Sequence, residues 1–168
     1  MNVPEDRTST IARYREGPLR LEQVVKGLAD SDLDAVPSGG GWTIRQIVHH
    51  IVDGDDIWKI AIKMAMGNEE AEFALGWYGA LPQKTWGDRW SYSTRSLDVS
   101  LTLIKAIRAH IVQLLESTPE VWNRSVVVRT AKGEAEGIPV GSVVQMLADH
   151  LHHHIERIRA ILQQRGGT

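Results

Sequence analysis

Six of the seven histidines fall into two short clusters. His150, His152, His153 and His154 lie in the run Ala148-Asp149-His150-Leu151-His152-His153-His154-Ile155-Glu156-Arg157-Ile158, and His49 and His50 stand a hundred residues upstream. Imidazole is the commonest side-chain metal ligand. Two histidines four apart on a helix project from one face and can grip one ion. The chain has no cysteine, which removes thiolate metal sites, disulfides and a cysteine nucleophile. No Ser-His-acid order stands out either, so the chemistry rests with the imidazoles.

Four amphipathic segments must position them. The first covers roughly residues 8–28, with Gly17-Pro18 expected to break or kink it. A connector over residues 29–41 ends in Pro37-Ser38-Gly39-Gly40-Gly41. Thr43 and Gln46 form a capping box that opens the second helix. That helix runs to about residue 66 with Ile44, Ile47, Ile51, Trp58 and Ile62 as its apolar stripe. Residues 68–92 make a long connection rich in Gly, Trp and Tyr. The third helix spans residues 96 to about 117, with Leu97, Leu101, Ile104, Ile111 and Leu115 inward. Val126-Val127-Val128 and Lys132-Gly133, within residues 118–140, suggest a short hairpin. The fourth helix spans about residues 141–164, and Gly166-Gly167 lie beyond it. The pattern predicts an all-α protein, a four-helix bundle in a single domain over residues 1–168. Its two long connections leave room for a crossover.

Helical phase, at about 100° per residue, separates the histidines. The inward stripe of the fourth helix is Val143, Leu147, Leu151, Ile158, Ile161 and Leu162, and His150 and His154 fall inside it. His152 faces roughly the opposite side and His153 the flank. On the second helix His50 sits at the edge of the stripe, while His49 falls near the polar side with Asp53 and Asp56. His110 is isolated on the third helix. A single core histidine is ordinarily a hydrogen-bonded side chain. Three in phase would be costly to bury without a common partner. One ion held by His50, His150 and His154 accounts for all three and leaves a coordination position open, as in catalytic rather than structural sites. A purification tag does not explain the tail cluster, because Leu151 interrupts it inside an amphipathic helix. Ligating imidazoles usually pass their second N–H to a carboxylate or carbonyl; Asp53, Asp149 and Glu156 are the candidates, each otherwise a solvated helix charge.

Net charge is −2, from 19 basic and 21 acidic residues, with no basic patch or acidic tail. Nucleic acid and anionic membrane are therefore poor partners. No stretch approaches the length of a membrane span, and the N-terminal run Met1-Asn2-Val3-Pro4-Glu5-Asp6 lacks the apolar core of a secretory signal. A cytoplasmic location is expected.

Gly41-Trp42-Thr43-Ile44-Arg45-Gln46-Ile47-Val48-His49-His50-Ile51-Val52-Asp53, followed by His150-Leu151-His152-His153-His154, resembles the DinB superfamily. It is most similar to the YfiT-like branch of metal-dependent hydrolases and thiol S-transferases. The shared order covers most of the chain: a Pro/Gly turn, a Trp-Thr helix start with a histidine eight residues after the Trp, an aromatic linker, and a late helix with two histidines four apart. The resemblance implies a four-helix bundle, often a homodimer, that binds zinc, nickel or manganese. Its three ligands map to His50, His150 and His154, the same three that helical phase selects. The family's linker Trp maps to Trp86 in Thr85-Trp86-Gly87-Asp88, a candidate pocket residue. Some members use the metal to activate a low-molecular-weight thiol such as bacillithiol, mycothiol or glutathione. Residues 118–139 match nothing diagnostic.

An open-sited metal can activate a bound water or thiol, so no protein nucleophile is required. Two functions are open on this reading. One is an enzyme that transfers a low-molecular-weight thiol to a small electrophile, or hydrolyses a small substrate. The other is a non-catalytic metal-binding stress-response protein whose ion stabilises the bundle. The linker aromatics Trp77, Tyr78, Trp86, Trp90 and Tyr92 either fill core or interface space or wall the substrate pocket.

Overall fold

The capping box at Thr43 forms as the sequence predicts: the Gln46 N–H donates to Thr43 Oγ1 at 3.3 Å and the Thr43 N–H to Gln46 Oε1 at 3.0 Å. It opens α3 (Ile44–Gly67), one of four long helices with α1 (Arg7–Val25), α6 (Leu97–Ser117) and α7 (Val140–Gly166). The computed structural model describes residues 6–166, with side chains to residue 164. The N-terminal residues 1–5 read above, and Gly167, lie outside these. Short helices α2 (Asp30–Leu33), α4 (Gly76–Gly79) and α5 (Gln83–Arg89) occupy the connections. The expected stripes turn inward: Ile44, Ile47, Ile51 and Ile62 on α3 are fully buried, as are Ile104, Ile111 and Leu115 on α6, and Val143 and Ile158 on α7. α1 packs on α6 and α7, and α3 packs on the same two. The first two long helices therefore stand diagonally rather than side by side, so this is a four-helix bundle without simple up-and-down order.

The connections do more than link. The hairpin expected in residues 118–140 is β2 (Ser125–Arg129) against antiparallel β3 (Ala135–Pro139), turned at Gly133 with φ +79°. A third strand, β1 (Glu72–Ala74), pairs parallel to β2. Three residues are too short to show a period of two, which is why this strand was not expected. Val126 and Val128 point inward from β2 and join Ala61, Phe73 and Ile111 in the core cluster at this end.

Pro18 does not break α1, which runs through it. Proline lacks the N–H that would bond the carbonyl four residues back. That carbonyl belongs to Tyr14, and it accepts instead from Arg108 Nη1 at 3.0 Å. Gly17 leaves the room: a Cβ there would stand 2.5 Å from Arg108 Nη1. The guanidinium also pairs with Asp55 at 2.6 and 3.0 Å and donates to the Leu147 carbonyl at 2.9 Å. It lies 4.3 Å from the Tyr14 ring centroid. Asp55 and Arg108 are 0 % and 1 % exposed. This one ion pair joins all four long helices. It also sits between two apolar clusters, one holding Ile11, Ile62, Ile111 and Val144 and the other Leu21, Ile51, Ile104 and Leu151.

Candidate metal centre

One and a half turns of α7 and one residue of α3 build the site. His150 and His154 lie four apart on α7, and His50 of α3 faces them. His50 Nε2 is 3.1 Å from His150 Nε2, and His154 Nε2 is 3.2 Å from the same atom. The three ligand atoms all lie within 4.8 Å of one another. An imidazole nitrogen carries either one hydrogen or one lone pair, so His150 Nε2 cannot satisfy two neighbours as an ordinary hydrogen bond. A shared cation can. Three nitrogens at about 2.0–2.1 Å from one tetrahedral ion would stand about 3.3 Å apart, close to the two short spacings found.

The electrostatics agree with that fit. Burial, with the neighbouring His150 and Arg157, pushes the His50 imidazole down to about 4. Burial, then His150 and His50, pushes His154 down to about 3. Burial also lowers His150. All three are neutral at pH 7 and present lone pairs. The three carboxylates considered as partners are engaged elsewhere. Asp53 pairs with Arg95 at 2.7 Å, Asp149 with Arg13, and Glu156 with Arg159 at 2.6 Å. Asp149 and Glu156 are one and two positions from a candidate ligand histidine, which on a helix places them on another face. The Nδ1 atoms of His50 and His154 are buried without a hydrogen-bond partner among the described residues.

His49 is the main departure from the expected phase. It is fully buried rather than near the polar side. Its Nε2–H donates to the Arg95 carbonyl at 3.2 Å, which leaves Nδ1 to accept from Ser100 Oγ at 2.8 Å. The loop before α6 packs over what an isolated helix would present to water. His152 is half-buried, and His153 is exposed with its ring 5.4 Å from that of His154. His110 is exposed on α6.

In the unfolded chain these imidazoles titrate near about 6.5, and in the folded one His49 and His50 titrate near 4 and His154 near 3. As pH falls the unfolded state binds protons first, which pulls the equilibrium away from the fold. Metal-free protein is expected to lose stability progressively between about pH 6.5 and pH 3 and to be insensitive to these groups above that range. Urea unfolding of chelator-treated protein at about pH 7.5 and about pH 5 measures it; equal midpoints would contradict neutral buried imidazoles.

His50 and His154 open onto a cleft of about 700 Å³. Its walls are Trp42, Thr43 and Gln46 at the start of α3, Gln83 and Lys84 of α5, and Arg157 of α7. Trp42 meets His50 edge-on with ring centroids 4.7 Å apart. The connector carrying Trp42 is tied down by Arg45, which bonds Asp34 at 2.6 and 3.0 Å and Asp30 at 2.6 Å. Trp86 stands in an aromatic cluster, stacked on Tyr78, edge-on to Trp77 and tilted against Trp90, its indole N–H donating to the Tyr78 carbonyl at 2.8 Å. Its helix, α5, reaches the cleft through Gln83 and Lys84 instead. His150 and His153 edge a second, open cleft of about 600 Å³ with Met146. No helix among the described residues is long and apolar enough to cross a membrane.

The chain is similar to known proteins over most of its length. YfiT of Bacillus subtilis is 28% identical over 163 residues, covering 96% of this chain and 87% of YfiT. A protein of Oceanobacillus iheyensis, also named as a metal-dependent hydrolase, is 30% identical over 150 residues, covering 89% of this chain and 81% of its own length. The solved structure of B. subtilis YfiT, described as a probable metal-dependent hydrolase with an unusual four-helix bundle topology, superposes with a TM-score of 0.82 at 25% identity, covering 99% of this chain and 94% of that one. A mycothiol-dependent maleylpyruvate isomerase shares the fold at a TM-score of 0.62 and 15% identity, over 88% of this chain and 58% of the isomerase. The family model of the DinB superfamily matches residues 13–158. This chain belongs to the DinB superfamily.

Proposed function

We propose that the protein is a metal-dependent enzyme in which His50, His150 and His154 hold one divalent ion through their Nε2 atoms. It transfers a low-molecular-weight thiol of the bacillithiol, mycothiol or glutathione type to a small electrophile. The observation that carries this reading is the convergence of three neutral imidazole nitrogens on one point beside a cleft. Three nitrogens and no thiolate or carboxylate suit zinc or nickel, whereas manganese favours oxygen donors. When bound, such an ion supplies Lewis acidity and lowers the pKa of a thiol or water that binds it. The chain's own residues hold the ligands neutral by burial and wall the cleft with Trp42 and Gln46. Hydrolysis at the same site is the second reading, supported by the names of the relatives.

The test is a panel of thiols (bacillithiol, mycothiol, glutathione, coenzyme A) with a fluorogenic electrophile, and an activated ester without thiol. Each is assayed with chelator-treated protein and after reloading with zinc, nickel or manganese. Turnover is expected only after reloading, with zinc or nickel best and one thiol preferred. No turnover with any thiol, ester or metal would remove the enzymatic reading and leave a metal that stabilises the bundle.

A further inference from the structure

We infer that the cleft beside His50 and His154 takes a small molecule bearing a carboxylate, which Arg157 binds. Arg157 follows His154 by three residues and His150 by seven, so all three share one face of α7. That spacing delivers the guanidinium to the same cleft as the histidines. Gly41 makes room for it opposite: its φ is +100°, and a Cβ there would stand 3.0 Å from Arg157 Nη2. The Gly41-Trp42 turn thus borders the cation on one side and the histidine rings on the other.

Charge decides the ligand class. The charged side chains lining the cleft besides the histidines are Lys84 and Arg157, and no carboxylate lines it. Lys84 is already paired with Asp88 at 2.8 Å. Glu156, the acid nearest Arg157 in sequence, is paired with Arg159. Arg157 makes no ion pair among the described residues. One uncompensated positive charge remains, and a carboxylate complements it. A planar guanidinium presents two parallel N–H donors that match the two oxygens of a carboxylate. The inference rests on the proposed function for what happens at the histidines, but the contact between guanidinium and carboxylate needs no metal.

The probes are mercaptosuccinate and thioglycerol, thiols of similar size with and without carboxylates. Calorimetric titration of zinc-loaded protein is expected to favour mercaptosuccinate by about tenfold, the scale of one charge-assisted hydrogen-bond pair. Arg157→Gln should cut the preference to about twofold or less, with zinc content and thioglycerol affinity unchanged, while Arg157→Lys keeps part of it. A preference that survives in Arg157→Gln, or no preference in the wild type, overturns the inference. Should the wild type hold neither zinc nor nickel after reloading, the proposed function fails by itself. Succinate against succinamide with metal-free protein then reads the arginine alone: selection of succinate that Arg157→Gln abolishes upholds the inference, and equal binding overturns it.

Discussion

Asp55→Ala is expected to destabilise the bundle by about 3–5 kcal/mol, the cost of leaving a buried charge without its partner. The Arg108 guanidinium is 1 % exposed and would lose two hydrogen bonds to Asp55 while keeping those to the Tyr14 and Leu147 carbonyls. Arg108→Ala is expected to cost as much, because it strands the carboxylate and the carbonyl that Pro18 leaves free. Replacing both, as Asp55→Leu with Arg108→Met, should restore much of the loss, since an apolar pair of similar size often matches a buried ion pair. Urea unfolding of the single and double variants gives the comparison. A single-variant loss below about 1 kcal/mol would contradict the view that this pair holds the four helices together.

The ion pair also explains what was and was not legible in the sequence. The four helices, the Thr43 capping box and the inward stripes follow from periodicity and cap chemistry, because burial repeats along each helix. Asp55 lies four residues after Ile51, and Arg108 four after Ile104, both inside apolar stripes. That placement was the available signal for a buried pair. Gly17-Pro18 reads locally as a helix breaker. Its role appears only when Arg108 from a helix distant in sequence fills the freed carbonyl. His49 was misplaced for a similar reason: phase locates a side chain relative to its own helix, and the loop carrying Arg95 and Ser96 covers it. Closeness in sequence does not fix the partner of a helical carboxylate: Asp53, Asp149 and Glu156 each pair with an arginine, and Asp149 and Glu156 do so from another face of α7. Arg157 carries its own signal in the spacing 150, 154, 157, which puts it on the histidine face of α7.

His154→Ala is expected to lower metal affinity by more than about 100-fold, beyond the tenfold to 100-fold typical of outer partners of a metal ligand. His50→Ala should do the same from the other helix. His152→Ala and His153→Ala should leave metal content intact, because neither belongs to the converging group. Removing a ligand should not unfold the metal-free protein, since a small neutral side chain replaces an imidazole whose Nδ1 is unpartnered. Fold and metal binding can therefore be read separately, by circular dichroism and by elemental analysis.

The most direct measurement is metal quantitation with X-ray absorption spectroscopy on protein purified without a histidine tag. The account predicts close to one zinc or nickel per chain, with three imidazole nitrogens at about 2.0–2.1 Å for zinc and at least one exchangeable oxygen or sulfur donor, all lost in His50→Ala and His154→Ala. Absence of bound metal after reloading, or a metal whose shell is unchanged in those variants, would contradict it.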